Sequence, residues 1–278
     1  MPEISDTDYN HFRKLIREKM GIDFSDEQKT LLCTRISALM IKYKTDTCHD
    51  FYNLVLGYKE VLGEFINVIT TNHTFFYREN AHFHYLQDHI FPEAKAELFA
   101  GKRKNFKIWV AASSSGEEVY TIAMFMMEFF AMSMNQFDIS ILGTDISRNV
   151  IHKAELGVYR KENVEKLPPE FVKRYFEPTV ANDLLIIKPD IRKFVMFRVL
   201  NLVRDSFPFK GKFDVIFVRN VLIYFKEPVR KKLLSQLKDL LNDGGYLFIG
   251  HTESFGTKIA GLTQVSPSVY RKEKSGER

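Results

Sequence analysis

Five polar segments interrupt the apolar runs of this chain at places where chemistry could be done. Residues 111–118 read AASSSGEE directly after the run IWV. Their small side chains let a nucleoside-like ligand approach the backbone, and a helix starting there offers unpaired N–H groups. The segment holds one glycine, Gly116, in place of a G-x-G-x-x-G series, and Glu117 and Glu118 would repel a pyrophosphate. The combination disfavours a nicotinamide dinucleotide and suits a ligand with an ammonium or sulfonium charge, although acids at a helix start also serve simply as dipole partners. Asp145 closes the run ILGTD, where a carboxylate at a strand tip can accept both hydroxyls of a ribose or cap the helix that follows. In FDVIFVRNVLIYF (213–225) the apolar run stops at Arg219-Asn220 and resumes with Tyr224 inside it, so the pair either faces a site or makes structural hydrogen bonds. GHTES (250–254) has the same character, but its His251 and Glu253 lack the further ligands a metal centre needs, and no metal is expected. TTNHTFFYREN (70–80) carries more bulky apolar residues than a bare linker requires, so it is either a working junction or a packed interdomain helix.

These segments need a scaffold. Apolar residues at helical spacing (Tyr9, Phe12, Leu15, Ile16, Met20) predict a helix stopped by Gly21. A second helix, capped near Ser25-Asp26, carries Leu32, Ile36, Leu39 and Met40; a third starts at Thr47 and a fourth runs through Val61, Phe65, Val68 and Ile69. The expected organisation is a helical N-terminal domain over 1–75, a junction helix over 76–100, and a larger domain over 101–278. In that domain strand-like runs (IWVAAS, DISILGTD, KFDVIFVRN, GGYLFIGH) alternate with helical ones, which predicts a doubly wound parallel α/β sheet. Gly244-Gly245 is expected to stop the helix over about 227–241. Residues from about 157 to 200 break the rhythm, and DLLIIKPDIRKFVMFRVL reads as an antiparallel hairpin in an inserted β subdomain.

Composition narrows the class. No apolar run reaches the ~20 residues of a membrane span, and the polar, acidic start MPEISDTDYNHF lacks a secretory signal. Two cysteines, Cys33 and Cys48, exclude a disulfide framework and cannot close a zinc site, so a cytoplasmic location is expected. A net charge of +5, with 40 Lys and Arg against 35 Asp and Glu, favours an acidic partner without choosing among nucleic acid, anionic lipid and protein.

Taken in order, TTNHTFFYREN, WVAASSSGEEVYTIAM, ILGTDIS, FDVIFVRNVLIYF and GGYLFIGHTES resemble the motif series of the CheR family, the chemotaxis receptor glutamate methyltransferases. GVYR at 157–160 and RYF at 174–176 fit the family's inserted region, and the likeness reaches VSPSVYRK. The resemblance implies a Rossmann-like methyltransferase sheet that uses S-adenosylmethionine, releases S-adenosylhomocysteine and needs no metal. It implies that Asn72, Thr74 and Arg78 contact the cofactor, with Glu117 at its charged methionine end and Asp145 on its ribose. Asn201 and Leu202 would lie beside the adenine, with Arg219 and Asn220 also in the site, and Arg78 and Tyr224 as the catalytic pair. The implied partners are the cytoplasmic helices of chemotaxis receptors, with no nucleic acid and no membrane insertion, and a monomer is expected. Lys14, Arg17, Arg35, Lys42 and Lys44 would meet the acidic receptor helices. Ala112, Ser113, Val119 and Thr252 depart from the family's usual glycine, cysteine, proline and serine, all small or non-catalytic changes. A glutamate carboxylate is ionised at neutral pH, so the lack of a Ser/His/Asp or Cys/His arrangement fits the implied reaction. Two other readings remain open here: a nucleic-acid methyltransferase, and a non-catalytic regulator that binds S-adenosylmethionine.

Overall fold

The computed structural model describes residues 4–70, 73–254 and 258–273. Ser5 caps helix α1 (Asp6–Met20) through the Asp8 amide, and Gly21 ends it in the left-handed region at φ 70°. Helices α2 (Lys29–Tyr43), α3 (Cys48–Gly57) and α4 (Lys59–Ile69) follow. Thr47 caps α3 as predicted, whereas Ser25 heads a short 3-10 turn, Asp26–Gln28, ahead of α2. The apolar stripes of the four helices close on one core around Phe12, Ile16, Leu32, Ile36, Phe51 and Phe65, all buried. Each such side chain contributes about 1.5–3 kcal/mol by leaving water.

The junction is not one continuous helix. Residues 76–80 form a turn with Tyr77 and Glu79 at positive φ, leading into α5 (Ala81–Tyr85), a π-helical turn (Leu86–Ile90) and α6 (Phe91–Phe99). After it the expected alternation appears: β1 (Asn105–Ala111), α7 (Glu117–Phe130), β2 (Asp138–Asp145) and α8 (Arg148–Leu156). Next come β3 (Val158–Arg160), α9 (Lys161–Val164), α10 (Pro169–Tyr175), β4 (Phe176–Pro178), β5 (Leu184–Ile187) and α11 (Pro189–Arg192). The chain returns through β6 (Val195–Val199), β7 (Phe213–Val218), α12 (Glu227–Asp239), β8 (Leu241–Ile249), α13 (His251–Ser254), β9 (Leu262–Ser266) and β10 (Val269–Lys272).

Seven strands form one sheet in the order β6-β2-β1-β7-β8-β10-β9, parallel from β6 to β8, with β10 antiparallel to both its neighbours. The central strands are apolar on both faces, as a sheet covered on both sides requires. Ile108, Val110, Val215 and Phe217 face one core, with α5, α6 and α7; Trp109, Ile216, Val218 and Leu247 face the other, with α12.

Two sequence expectations are corrected. LLII and VMFRV are not the arms of a hairpin: LLII is β5, in a separate antiparallel sheet of order β3-β5-β4, and VMFRV is β6, the parallel edge strand of the main sheet. Pro189 and the short α11 carry the chain from one sheet to the other, so the strands of the insert end at Ile187 rather than near residue 200. Gly244-Gly245 does not stop α12, which ends at Asp239 with Leu240 as its cap. The pair lies inside β8, where the register against β7 slips and Asn242 Nδ2 bonds Asp214 Oδ1 at 2.7 Å.

Gly143 shows how tightly β6 seats. It pairs with Phe197 across the β2–β6 ladder, and a Cβ at Gly143 would lie 2.7 Å from the Phe197 ring and 3.0 Å from Val119. Gly143→Ala is expected to cost about 1–3 kcal/mol in urea denaturation; an unchanged midpoint would mean that the ring moves aside freely.

Candidate functional site

Strand order reverses between β1 and β7, and open α/β sheets take ligands beyond the strand ends at such a point. A cavity opens there, walled by the loops that follow β1, β2, β6 and β7. Asp145, Arg219, Asn220 and Tyr224 line it, as do Asn201 and Leu202 after β6 and Thr74 and Arg78 from the junction. Eight of the ten sequence-predicted residues are therefore together. Asn72 lies outside the described residues.

Glu117 is the exception. Both its carboxylate oxygens accept from Ser115 Oγ, at 3.0 and 2.8 Å, and it does not line the cavity. The acid that does is Glu118, next along α7, whose Oε2 accepts from Arg219 Nη1 at 2.7 Å. Burial raises the Glu118 carboxyl above the usual carboxylate range, with Arg219 pulling the other way. The sequence carries the acid pair but not which member turns inward, because the rotation of α7 against the sheet decides that.

The loop after β1 is strained into place. Ala112 and Ser114 have φ 60° and 48°, and Gly116 has φ 95°. Gly116 tolerates no side chain, since a Cβ there would meet Ala154 at 2.9 Å and Phe197 and Tyr159 at 3.1 Å. Asp145 holds the loop: Oδ2 accepts from the Ser114 amide at 3.0 Å and Oδ1 from the Ser147 amide at 2.9 Å. The helix cap at α8 is Ser147, not Asp145. The Ile146 amide also acts on this carboxylate, which keeps some acceptor capacity beyond the three amides, and burial raises its carboxyl above the usual range. Ser113 and Ser114 also line the cavity, and their hydroxyls are buried without a hydrogen-bond partner. Orphaned donors of that kind suit a polar ligand.

Arg219 is the most enclosed charge of the site, its side chain 1% exposed. It bonds Glu118, donates Nη2–H to the Arg78 carbonyl at 2.6 Å, and lies 3.3 Å from Glu79 Oε2. Beside this cluster, burial and then the charges of Arg219 and His251 push the His82 ring down to about 2, which leaves it neutral. Asn220 (φ 56°) donates Nδ2–H to Glu79 Oε1 at 3.2 Å, and its amide donates to Glu253 at 2.8 Å.

The helical bundle supplies a wall that sequence reading missed. Met20, Ile22, Phe24, Gln28 and Leu31 line the cavity. The Asp23 amide donates to the Tyr224 carbonyl at 3.0 Å, Ile22 forms an antiparallel bridge with Phe225, and Lys226 pairs with Asp23 at 3.3 Å. The Asn201 side chain is committed to this joint, donating to the Lys19 carbonyl at 2.7 Å and accepting the Val203 amide at 2.9 Å. The segment Met20-Gly21-Ile22-Asp23-Phe24, apolar on alternate residues just past a helix stop, is the one signal that could have revealed it.

Arg219→Leu is expected to cost about 3–5 kcal/mol by stranding Glu118 and Glu79. Stranding raises the Glu118 pKa further, so the folded protein takes up a proton the unfolded chain does not, and the loss should shrink as pH falls from about 7.5 to about 5. Equal losses in urea denaturation at the two pH values would contradict this account of the cluster.

Residues 72–270 match the family description "CheR methyltransferase, SAM binding domain", and residues 7–70 match "CheR methyltransferase, all-alpha domain". The chain is 36% identical over 263 residues to a chemotaxis protein methyltransferase of Borreliella burgdorferi, covering 93% of this chain and 92% of that protein. It is 35% identical over 264 residues to the corresponding protein of Vibrio parahaemolyticus, covering 94% and 92%. Against that of Escherichia coli K12 it is 32% identical over 272 residues, covering 96% and 91%.

Proposed function

The chain belongs to the CheR methyltransferase family, and from that premise we propose that it transfers a methyl group from S-adenosylmethionine to glutamate side chains of chemotaxis receptors. The observation that carries the reading is the polarity of the cavity: a half-buried Glu118 and a buried Asp145 share its lining with Ser113 and Ser114, and with Arg78 and Tyr224. This fits a cationic nucleoside and would repel a pyrophosphate. Asp145 would take the two ribose hydroxyls on its remaining lone pairs, and Glu118 the ammonium of the methionine end. Asn201, its side chain already spent, would offer the adenine its backbone, with Leu202 against the ring.

The cofactor supplies a methyl group on a sulfonium. A glutamate carboxylate is already ionised at neutral pH, so no residue of the chain has to remove a proton. With the cofactor held in the cavity, an acceptor carboxylate would take that methyl group and the sulfur would keep the electron pair of the broken carbon–sulfur bond. What the protein must provide is in-line approach at about 3–3.5 Å and a dry surface. Arg78, whose Nη1 donates to the His73 carbonyl at 3.0 Å and whose guanidinium lies 5.6 Å from the Phe75 ring centre, would hold the incoming carboxylate. Tyr224, fixed through its carbonyl by Asp23, would orient it by the phenol.

The basic face of the bundle is less free than its sequence suggests. Arg35 Nη1 donates to the Ile69 carbonyl at 2.6 Å, Arg17 pairs with Asp23 at 2.7 Å, Lys42 pairs with Glu64, and Lys14 lies 3.9 Å from Glu18. Exposed pairs exchange partners at little cost, so Lys42 and Lys44 are better candidates than Arg35 to meet an acidic receptor helix.

Titration calorimetry with S-adenosylhomocysteine tests the cavity. Asp145→Ala and Glu118→Gln should each weaken binding by about tenfold to a hundredfold, and Glu117→Gln by far less. Wild-type affinity should fall as pH drops from about 8 to about 5.5, because the raised Glu118 carboxyl must ionise to hold an ammonium, and Glu118→Gln should flatten that dependence. A stronger effect of Glu117→Gln would reverse the assignment.

Receptor-containing membranes and RNA, each offered with tritium-labelled cofactor, test the acceptor. Label should enter receptor only and leave as methanol on mild alkali, the mark of an ester. Reversing Lys42 and Lys44 together should slow transfer at low salt and leave S-adenosylhomocysteine affinity unchanged. Alkali-stable label, or label in RNA, would remove the glutamate ester from consideration.

A further inference from the structure

Next to Arg219 lie three side chains for which the transfer reaction has no use. Glu79 and His82 come from the turn entering α5 and from its first turn, and His251 opens α13 after β8. Glu79 Oε2 is 3.7 Å from His82 Nδ1 and 3.8 Å from His251 Nε2, and one donor atom from each residue lies within 4.8 Å of the other two. His82 is 1% exposed, and its ring nitrogens make no hydrogen bond of good geometry, a weak contact with the Pro267 backbone being the most they find. An interior nitrogen left in that state destabilises the fold unless something occupies it. His251 Nδ1 is bonded to Ser268 Oγ at 3.0 Å, and Ser268 is fully buried. That bond leaves Nε2 turned toward Glu79, and an outer partner of this kind is what orients a metal-ligating imidazole.

We propose that Glu79, His82 and His251 form a binding site for a divalent transition-metal ion of the zinc class, reached from the exposed side of His251. Two imidazoles and one carboxylate suit zinc, cobalt, nickel or copper, and not calcium or magnesium, which take oxygen donors. Tetrahedral bonds of about 2.0–2.1 Å place donor atoms about 3.3 Å apart. Glu79 must therefore close on each imidazole by a few tenths of an ångström, and the larger movement falls on His251, the most exposed of the three. The site touches the cavity through Glu79. Its Oε2 lies beside Arg219 and accepts the His251 amide, and its Oε1 accepts from Asn220. A metal on Oε2 competes with Arg219, and Arg219 and Asn220 both line the cavity, so occupancy should weaken whatever the cavity holds.

The metal site stands on its own geometry; only the coupling rests on the cofactor reading. Tag-free full-length protein, stripped with chelator, is titrated with Co²⁺. About one equivalent should bind with the visible absorption of tetrahedral cobalt, displaced by Zn²⁺ and unaffected by Ca²⁺. His251→Gln and Glu79→Gln, each shown to be folded by circular dichroism and melting, should lower the cobalt affinity at least about tenfold. No saturable absorption below about 1 mM Co²⁺, or undiminished binding in both variants, overturns the site. In the second arm, saturating Zn²⁺ should weaken S-adenosylhomocysteine binding about tenfold in the wild type and leave it unchanged in His251→Gln. Cobalt binding with no effect on that affinity overturns the coupling and supports the site. Failure to bind S-adenosylhomocysteine without any metal overturns the cofactor reading instead.

Discussion

The buried guanidinium of Arg219 is the constraint around which the cavity is built. A desolvated charge costs several kcal/mol unless its hydrogens are taken up, and here acceptors for the two terminal nitrogens come from two separate parts of the chain, Nε alone being left without one. Glu118 belongs to the first turn of α7, while Glu79 and the Arg78 carbonyl belong to the junction. The guanidinium also lies 5.7 Å from the centre of the Phe83 ring, which belongs to α5. Satisfying one side chain at the end of β7 thus fixes where α7 begins, how the junction turns, and which way Glu118 points. The positive φ values of Tyr77 and Glu79 are understandable as the backbone cost of bringing that carboxylate and that carbonyl inward.

The helical bundle is joined to the sheet domain at the same place. Its links combine main chain and side chain: an amide of the bundle on the Tyr224 carbonyl and a bridge from Ile22 to Phe225, with the Asn201 side chain on the end of α1 and Lys226 on Asp23. Main-chain bonds set the position of a residue without consuming its side chain. Tyr224 lines the cavity while its carbonyl carries the joint, whereas Asn201 gives up its side chain to the same purpose. A residue's type at a strand end therefore does not say whether the side chain serves the ligand or the scaffold.

That distinction marks what the sequence made legible. Element types in the sheet domain were readable because apolar runs of strand length alternate with helical spacing, and the ligand edge follows from parallel topology. Eight predicted residues fall on one cavity because each stands at a strand end or in the junction. Choices that depend on packing were not readable. Whether Glu117 or Glu118 faces inward depends on how α7 rotates against the sheet, and LLII and VMFRV, nearly adjacent, pair with strands far apart in sequence. Gly244 resembles a helix stop because a bulge in β8 and a helix terminus both use positive φ. His82 gives no signal at all, since a histidine near Phe83 in an amphipathic segment is most simply read as packing.

The loop after β1 shows why strain and ligand binding coincide. Two non-glycine residues, Ala112 and Ser114, sit in the left-handed region, at a cost of about 1–2 kcal/mol each. Nothing in their own side chains offsets this. The bonds that do come from β2, with the Ser113 amide on the Thr144 carbonyl at 2.8 Å and the Ser114 amide on Asp145. The same arrangement leaves the hydroxyls of Ser113 and Ser114 buried without partners and the Asp145 carboxyl raised by burial. All three costs have one remedy, a ligand that brings hydroxyl donors to the carboxylate and polar atoms to the serines. Thr144 and Asp145 of β2 hold the strained loop, so a carboxylate that helps to order the loop is also the group a ribose would relieve.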